Sequence, residues 1–341
     1  MFFFNKKKDK SKTEVKFETN EPNNIYNPWD GEDSETNYSN VSFLNTLNNR
    51  CIGDIDDDYP RYVSYRFGIY HPLKRHIEFI NNGFLVPAPP EVSLKKVTIA
   101  NLKEILIQHH LPTIGKKQDL INSILQNIPI ESLNLKTVYI LSDKGQSYIN
   151  TYQYYIDVQK YLSDGIFTIK EFETAKEKNP HLSSDNIVWK IYNEKYTYYS
   201  INFQHEMLRS INYSKYKLLL NSGNLKEALK YLLSTIYFDI NGTSKFHKYS
   251  DYSIADHLSK AVHELASEYD HAVLKEVYNI ADSAIEMSEI AAKEQFADCK
   301  LLILYETFNR NIFEEIVYEL LNGNPVDLEE YKKYANPETL K

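Results

Sequence analysis

The chain has 341 residues, a formal net charge of −8 and only ten glycines. Its length accommodates two or three domains, and its acidic balance excludes a protein that coats nucleic acid over its whole surface. The scarcity of glycine leaves little room for phosphate-cradling loops, and no GxxxxGK[ST], GxGxxG or GxSxG motif occurs.

Residues 1–58 mix Lys, Asn, Asp, Glu and Ser with few aliphatic residues. Such a segment cannot bury enough apolar surface to offset its ordering entropy, so a disordered arm is expected. The opening MFFFNKKKDKSK sets its phenylalanines before its lysines, the reverse of a secretory signal, and no apolar run approaches the length of a membrane span. Cys51 and Cys299 lie too far apart in sequence to suggest a disulfide framework or a cysteine zinc site. A cytoplasmic protein with no membrane partner is expected. At the end of the arm, GDIDDDYP places Asp54, Asp56 and Asp58 at alternate positions, as a calcium loop would. Tyr59 and Tyr65 stand where that loop needs Gly and Glu, so a solvated acidic linker is the better reading.

Residues 59–90 read as an aromatic lead-in: RYVSYRFGIYHP, a short helix over Leu73 to Asn82, a strand at Phe84 to Val86 and a stiff proline exit. The sharpest pattern follows in residues 91–128. Ile99, Leu102, Ile105 and Leu106 recur at helical spacing behind a candidate N-cap, Thr98. Pro112 and Gly115 break the chain in the link LPTIG, and Leu120, Ile121, Ile124, Leu125 and Ile128 form a second stripe. This segment carries Lys95, Lys96, Lys103, Lys116 and Lys117 against Glu91, Glu104 and Asp119, a local balance of +2, which leaves −10 for the rest of the chain.

The order LKEIL, the leucine of LPTIG and GKKQDLINSI, carried by Leu102, Lys103, Leu106, Leu111, Gly115, Lys117, Leu120 and Ile124, resembles the SAP domain. That family is a helix, extended link, helix module that meets DNA. The resemblance implies contact with the duplex backbone through Lys116, Lys117, Gly115, Lys103, Thr113, Lys95 and Lys96. Free N–H groups at a helix start attract phosphate, and lysines there add charge. The chain departs from the family pattern at Ser123, where an arginine is frequent, and at Ile107, Gln108, His109 and His110, where basic residues are frequent.

Residues 129–200 are expected to form a connector: a strand at Val138 to Leu141, a turn at Asp143 to Gly145 and Tyr-rich helices. The two strands at Phe84 and Val138 either pair into a small wing or stand apart as unrelated edges. In WKIYNEKYTYY, lysines between aromatics suit single-stranded nucleic acid. However, Trp189, Tyr192, Tyr196 and Tyr199 fall on one helix face, the signature of core.

Residues 201–322 predict a C-terminal helical domain, with residues 323–341 as a tail. GNLKEALKYLL resembles the second helix of a tetratricopeptide unit, but no copy recurs at a thirty-four-residue period. Further helices are expected over Ile254 to Glu268, His271 to Glu289, Ala291 to Phe308 and Ile312 to Leu321. The whole arrangement resembles SAP-containing proteins of bacteria and their mobile elements.

HELAS at His263 and HEMLR at His205 begin like a zinc-protease helix, but Ser267 and Arg209 stand where the second histidine is needed. No catalytic residue, cofactor site or metal ligand is assigned. The expected fold class is mainly α: a helix-link-helix module with a small wing-like β element, then a helical domain. The expected function is an accessory DNA-binding protein whose helical domain meets a protein partner. The alternative is a non-enzymatic interaction protein in which the module is a docking element.

Overall fold

The computed structural model describes residue 29 and residues 31–133, 135–241, 254–295 and 307–335. Its elements are overwhelmingly helical, with three short strands in one sheet among the described residues, so the mainly α class holds. The chain divides into two compact units, residues 1–145 and 146–341. No helix among the described residues is long and apolar enough to cross a membrane.

The first unit begins earlier than its composition suggests. Helix α1 (Asn37–Leu47) is capped by Thr36, whose hydroxyl accepts from Ser39 N, and buries Val41, Phe43, Leu44 and Leu47 completely. The expected arm is therefore corrected over its second half, while residues 1–28 lie outside the described residues. The acidic run that reads as a linker forms, with Asp33, an acceptor hub. Asp33 accepts from Tyr70 N and His71 N at 2.5 and 2.8 Å, Asp56 from Leu73 N at 2.9 Å, and Asp57 from Trp29 Nε1 at 2.6 Å. Asp58 accepts from Asp54 N at 2.6 Å. Asp33 and Asp56 thereby fasten the segment to the start of α3 (Pro72–Asn81), which follows α2 (Tyr62–Phe67), and among the described residues no cluster suits a metal ion. Arg75 on α3 is buried and donates to Glu35 Oε2 at 2.9 Å and to Asn40 Oδ1 at 2.7 Å. Beside it, His76 is fully buried, 2.8 Å from the Tyr59 hydroxyl, with the rings of Tyr59 and Tyr139 edge-on to it.

The sheet has the order β1-β3-β2, all antiparallel, formed by β1 (Arg50–Cys51), β2 (Leu85–Pro87) and β3 (Val138–Leu141). The two expected strands do pair, Leu85 opposite Leu141 and Val86 opposite Ile140, while β1 adds a third strand too short to leave a periodicity. Pro87 sits on an edge strand, where its missing N–H breaks no ladder. The segment Asp143 to Gly145 is helical rather than a turn and starts α7 (Asp143–Thr151). Ser142 Oγ accepts from Gly145 N at 3.0 Å and donates to Gly83 O at 2.6 Å, while Lys144 Nζ donates to Asn82 O at 2.7 Å. A Cβ on Gly145 would lie 2.2 Å from the Phe84 carbonyl oxygen, so only glycine fits.

The second unit opens well before residue 201. It takes in α8 (Gln153–Leu162), α9 (Ile169–Lys178) and α10 (Ser184–Ile201), then α11 (His205–Asn221), α12 (Leu225–Asn241), α13 (Asp256–Glu264), α14 (His271–Gln295), α15 (Arg310–Leu321) and the short α16 (Leu328–Tyr331). The expected connector from residue 146 onward is thus part of the helical domain. Phe172, Ile187, Val188, Tyr192, Leu208 and Ile211 share one core cluster, which includes Phe238 and Ala284. Much of the helix expected over Ala291 to Phe308 falls outside the described residues.

The aromatic stripe of α10 resolves as core. Tyr192 is fully buried, Tyr196 is buried, and Trp189 packs against both clusters of the unit. Between these rings lies Lys215, 5% exposed, its ammonium 5.1 Å from the Trp189 and Tyr196 centroids and 5.0 Å from that of Tyr231. Desolvation pulls its pKa down to about 8, with repulsion from Lys230 adding to the shift. The three ring faces act in the opposite sense.

Candidate nucleic-acid interface

The residues singled out by sequence form a compact substructure of α4 (Pro90–Lys96), α5 (Ile99–Gln108) and α6 (Lys117–Asn127). The prolines before the module read in sequence as a stiff lead. The proline pair that stiffens the lead also starts a helix, with Pro90 at the first helical position where no N–H is required. Leu94, Leu102, Leu106, Leu120, Ile121, Ile124 and Ile128 close one small core. Ile99, expected on the inward face, is half exposed.

Thr98 caps α5 as expected, its hydroxyl accepting from Asn101 N at 3.2 Å. The end of α5 is set before Pro112 is reached. His110 takes a left-handed conformation (φ +57°), His110 N donates to Ile107 O at 3.0 Å and Leu111 N to Leu106 O at 2.8 Å. Those two bonds make a Schellman turn, with Leu111 returning its side chain toward the core. Gly115 (φ +131°) then swings the chain into α6, and a Cβ there would stand 2.8 Å from Asp119 Cβ.

At the start of α6 the structure alters the expected chemistry. Asp119 accepts from Lys116 N at 2.8 Å, so that backbone donor is already met by an internal carboxylate. Lys116 has no acceptor to return, and only the Asp119 half of a capping box forms. Lys117, half-buried, turns its ammonium onto the carbonyl of Lys95 at 2.7 Å, capping the C-terminal end of α4. Lys95 pairs with Glu91 at 2.7 Å, and the Lys95 ammonium, helped by Gln118, holds the Glu91 carboxyl below the usual range.

The Lys117 contact brings Lys95, Lys96, Lys116 and Lys117 to one corner, where α4 ends and α6 begins. Lys96, Lys103 and Lys116 are exposed, and among the described residues no hydrogen bond or ion pair engages their ammonium groups. Lys103 stands on the outer face of α5, and Thr113 is half-buried in the link. His109 and His110 are exposed at the end of α5. Sequence reasoning missed Asp119 and Glu91 as partners of these lysines. The signal for Asp119 was present, because a carboxylate three residues after a helix start is a capping position. Comparison with protein-family models, curated proteins and solved structures returns no match to this chain.

Proposed function

We propose that the α4-α5-α6 module is a SAP-like element that binds the backbone of duplex DNA weakly and with little sequence preference, and that the protein is an accessory DNA-binding factor rather than an enzyme. The carrying observation is the convergence of four lysines from two helices through the Lys117 to Lys95 contact, in a chain whose net charge is −8. A cationic corner on an acidic chain orients the DNA and confines contact to the module. With Lys95 paired to Glu91 and Lys116 N bound by Asp119, contact with about 2–4 phosphates is expected, hence a log–log salt slope of roughly −2 to −4.

The test is fluorescence anisotropy of the full chain on a labelled duplex over a salt series, with the variant Lys96→Gln, Lys103→Gln, Lys116→Gln beside the wild type. Lys117 stays in place because it also caps α4. The variant should keep the wild-type circular dichroism and lose most of the slope, since each lost phosphate contact removes about 0.9 from it. Equal binding by wild type and variant, or no salt-dependent binding by the wild type, removes the module as the DNA contact.

A second reading, a protein-docking element, draws on three isoleucines. Ile114 in the link is 91% exposed, Ile107 is 63% exposed and Ile99 is 48% exposed. On that reading Ile107→Ser with Ile114→Ser abolishes capture of the partner and leaves duplex binding unchanged.

A further inference from the structure

We propose that an open groove between α9 and α10, in the second unit, binds single-stranded nucleic acid. The groove has a volume of about 930 Å³ and is lined by one face of each helix. Lys170, Thr174 and Lys178 rise along α9 at intervals of four residues, and Lys190, Glu194 and Tyr198 do the same along α10. Residues four apart on a helix stack one above another, so each wall presents a stripe roughly 12 Å long. A stacked strand rises about 3.4 Å per nucleotide along its axis, so the stripe spans about three nucleotides.

Two polar contacts also join the walls. Lys195 pairs with Glu171 at 2.5 Å near the start of α9, and Lys190 Nζ lies 3.4 Å from Asn179 Oδ1 near its end. Burial tends to raise the Glu171 pKa, but the Lys195 ammonium and the Thr168 cap outweigh it and hold the carboxyl below the usual range. That pair is anionic and cationic at once and cancels. Three lysines, 170, 178 and 190, remain exposed against Glu194, on a chain that is otherwise acidic.

Tyr198 decides between two polyanions. It is 52% exposed in the groove, although the same helix buries Tyr192 and Tyr196 on its other face. Tyr199 lines the groove beside it, edge-on with centroids 5.4 Å apart, and props the ring. An acidic peptide has use for the lysines but nothing that needs an exposed aromatic ring. A nucleobase offers a flat π-face, and lysines tracking phosphates beside an aromatic platform are the general solution for single strands. The aromatic-lysine alternation of WKIYNEKYTYY thus serves two purposes, core on one face and groove on the other.

The experiment is anisotropy of the full chain with a short labelled oligothymidylate across a salt series, with polyglutamate as competitor. Lys170→Gln, Lys178→Gln and Lys190→Gln together should lower the salt slope by about 2, at roughly 0.7 per phosphate on a single strand. Tyr198→Ala should weaken binding by about tenfold, and Tyr198→Phe should keep it, because stacking needs the ring and not the hydroxyl. The three lysines replaced by arginine should restore binding, which separates loss of charge from loss of fold. Oligothymidylate that fails to bind the wild type, or that binds the triple Gln variant equally well, overturns the proposal. So does a groove in which polyglutamate competes fully and Tyr198→Ala has no effect, since that is an acidic-peptide site. This inference does not rest on the α4-α5-α6 reading: the Lys96, Lys103, Lys116 variant should lose duplex binding and retain oligothymidylate.

Discussion

Acidification should unfold the first unit through His76. The imidazole is fully buried against Tyr59 and Tyr139, and its Nε2 meets no hydrogen-bonding partner among the described residues. Desolvation, with the positive charge of Arg50 adding to it, lowers its pKa from 6.5 to about 4. Between pH 7 and pH 5 the unfolded chain takes up a proton at this residue and the folded chain does not. Because the unfolded state then binds more protons, stability falls as pH falls. The contribution is whole above about pH 6.5 and is lost progressively toward pH 4. A depression of about 2.5 units corresponds to at most about 3 kcal/mol, of which about 2 kcal/mol should be gone by pH 5. The assay is urea unfolding at pH 7 and pH 5, read by Trp29, whose indole donates to Asp57 in the same unit, in a Trp189→Phe background. Carboxylates titrate in the same window, so the comparison is with His76→Gln, which should be less stable at pH 7 and show a shallower fall. If the two proteins lose stability in parallel between pH 7 and pH 5, His76 is not held neutral by burial and the reasoning fails.

Two further expectations concern packing and a buried charge. Leu120, 1% exposed at the centre of the α4-α5-α6 core, should cost roughly 2–5 kcal/mol when cut to Ala. Hydrogen exchange should show residues 99–128 losing protection while α12 keeps its own; unchanged protection in the module would contradict this core. Lys215, its pKa pulled down to about 8, sheds its proton in the folded state before the unfolded chain does. Stability should therefore rise between pH 8 and pH 10 by up to about 2 kcal/mol relative to Lys215→Met, less whatever the three rings hold back. Identical pH profiles for the two proteins in denaturant unfolding would show that the ammonium is not desolvated there.

Elements that repeat a local rule could be read from residue order alone. The stripes Leu102, Leu106 and Leu120, Ile121, Ile124, the Thr98 cap and the break at Gly115 all stand where periodicity and turn chemistry put them. The mainly α class follows from them. Helix α1 escaped because its buried apolar residues, Tyr38, Val41, Phe43, Leu44 and Leu47, are set among Asn, Ser and Thr. Its partners are distant in the chain: Arg75 donates to Asn40, and Phe79 of α3 packs its ring against Phe43. Strand β1, two residues long, exists only because β3 offers it a ladder.

The lysines of the candidate interface were legible as residues but not as charges. Their number and local excess are properties of composition, whereas their availability depends on which carboxylate or carbonyl folding brings within about 3 Å, where the charge is spent locally. Lys117 is committed to the Lys95 carbonyl and Lys95 to Glu91, whereas Lys116 gives only its backbone N–H to Asp119 and keeps its ammonium exposed. The groove between α9 and α10 is the same lesson in reverse. Each wall is an ordinary solvated stripe in sequence, and only the packing of the two helices, fixed by Phe172 and Ile191 on their buried sides, turns two stripes into one cationic cleft. Residue order determined most of the helices and their buried faces, because those depend on neighbours three and four positions away. Tertiary structure decided which charges remain free and what they face together, because that depends on contacts between residues distant in the chain.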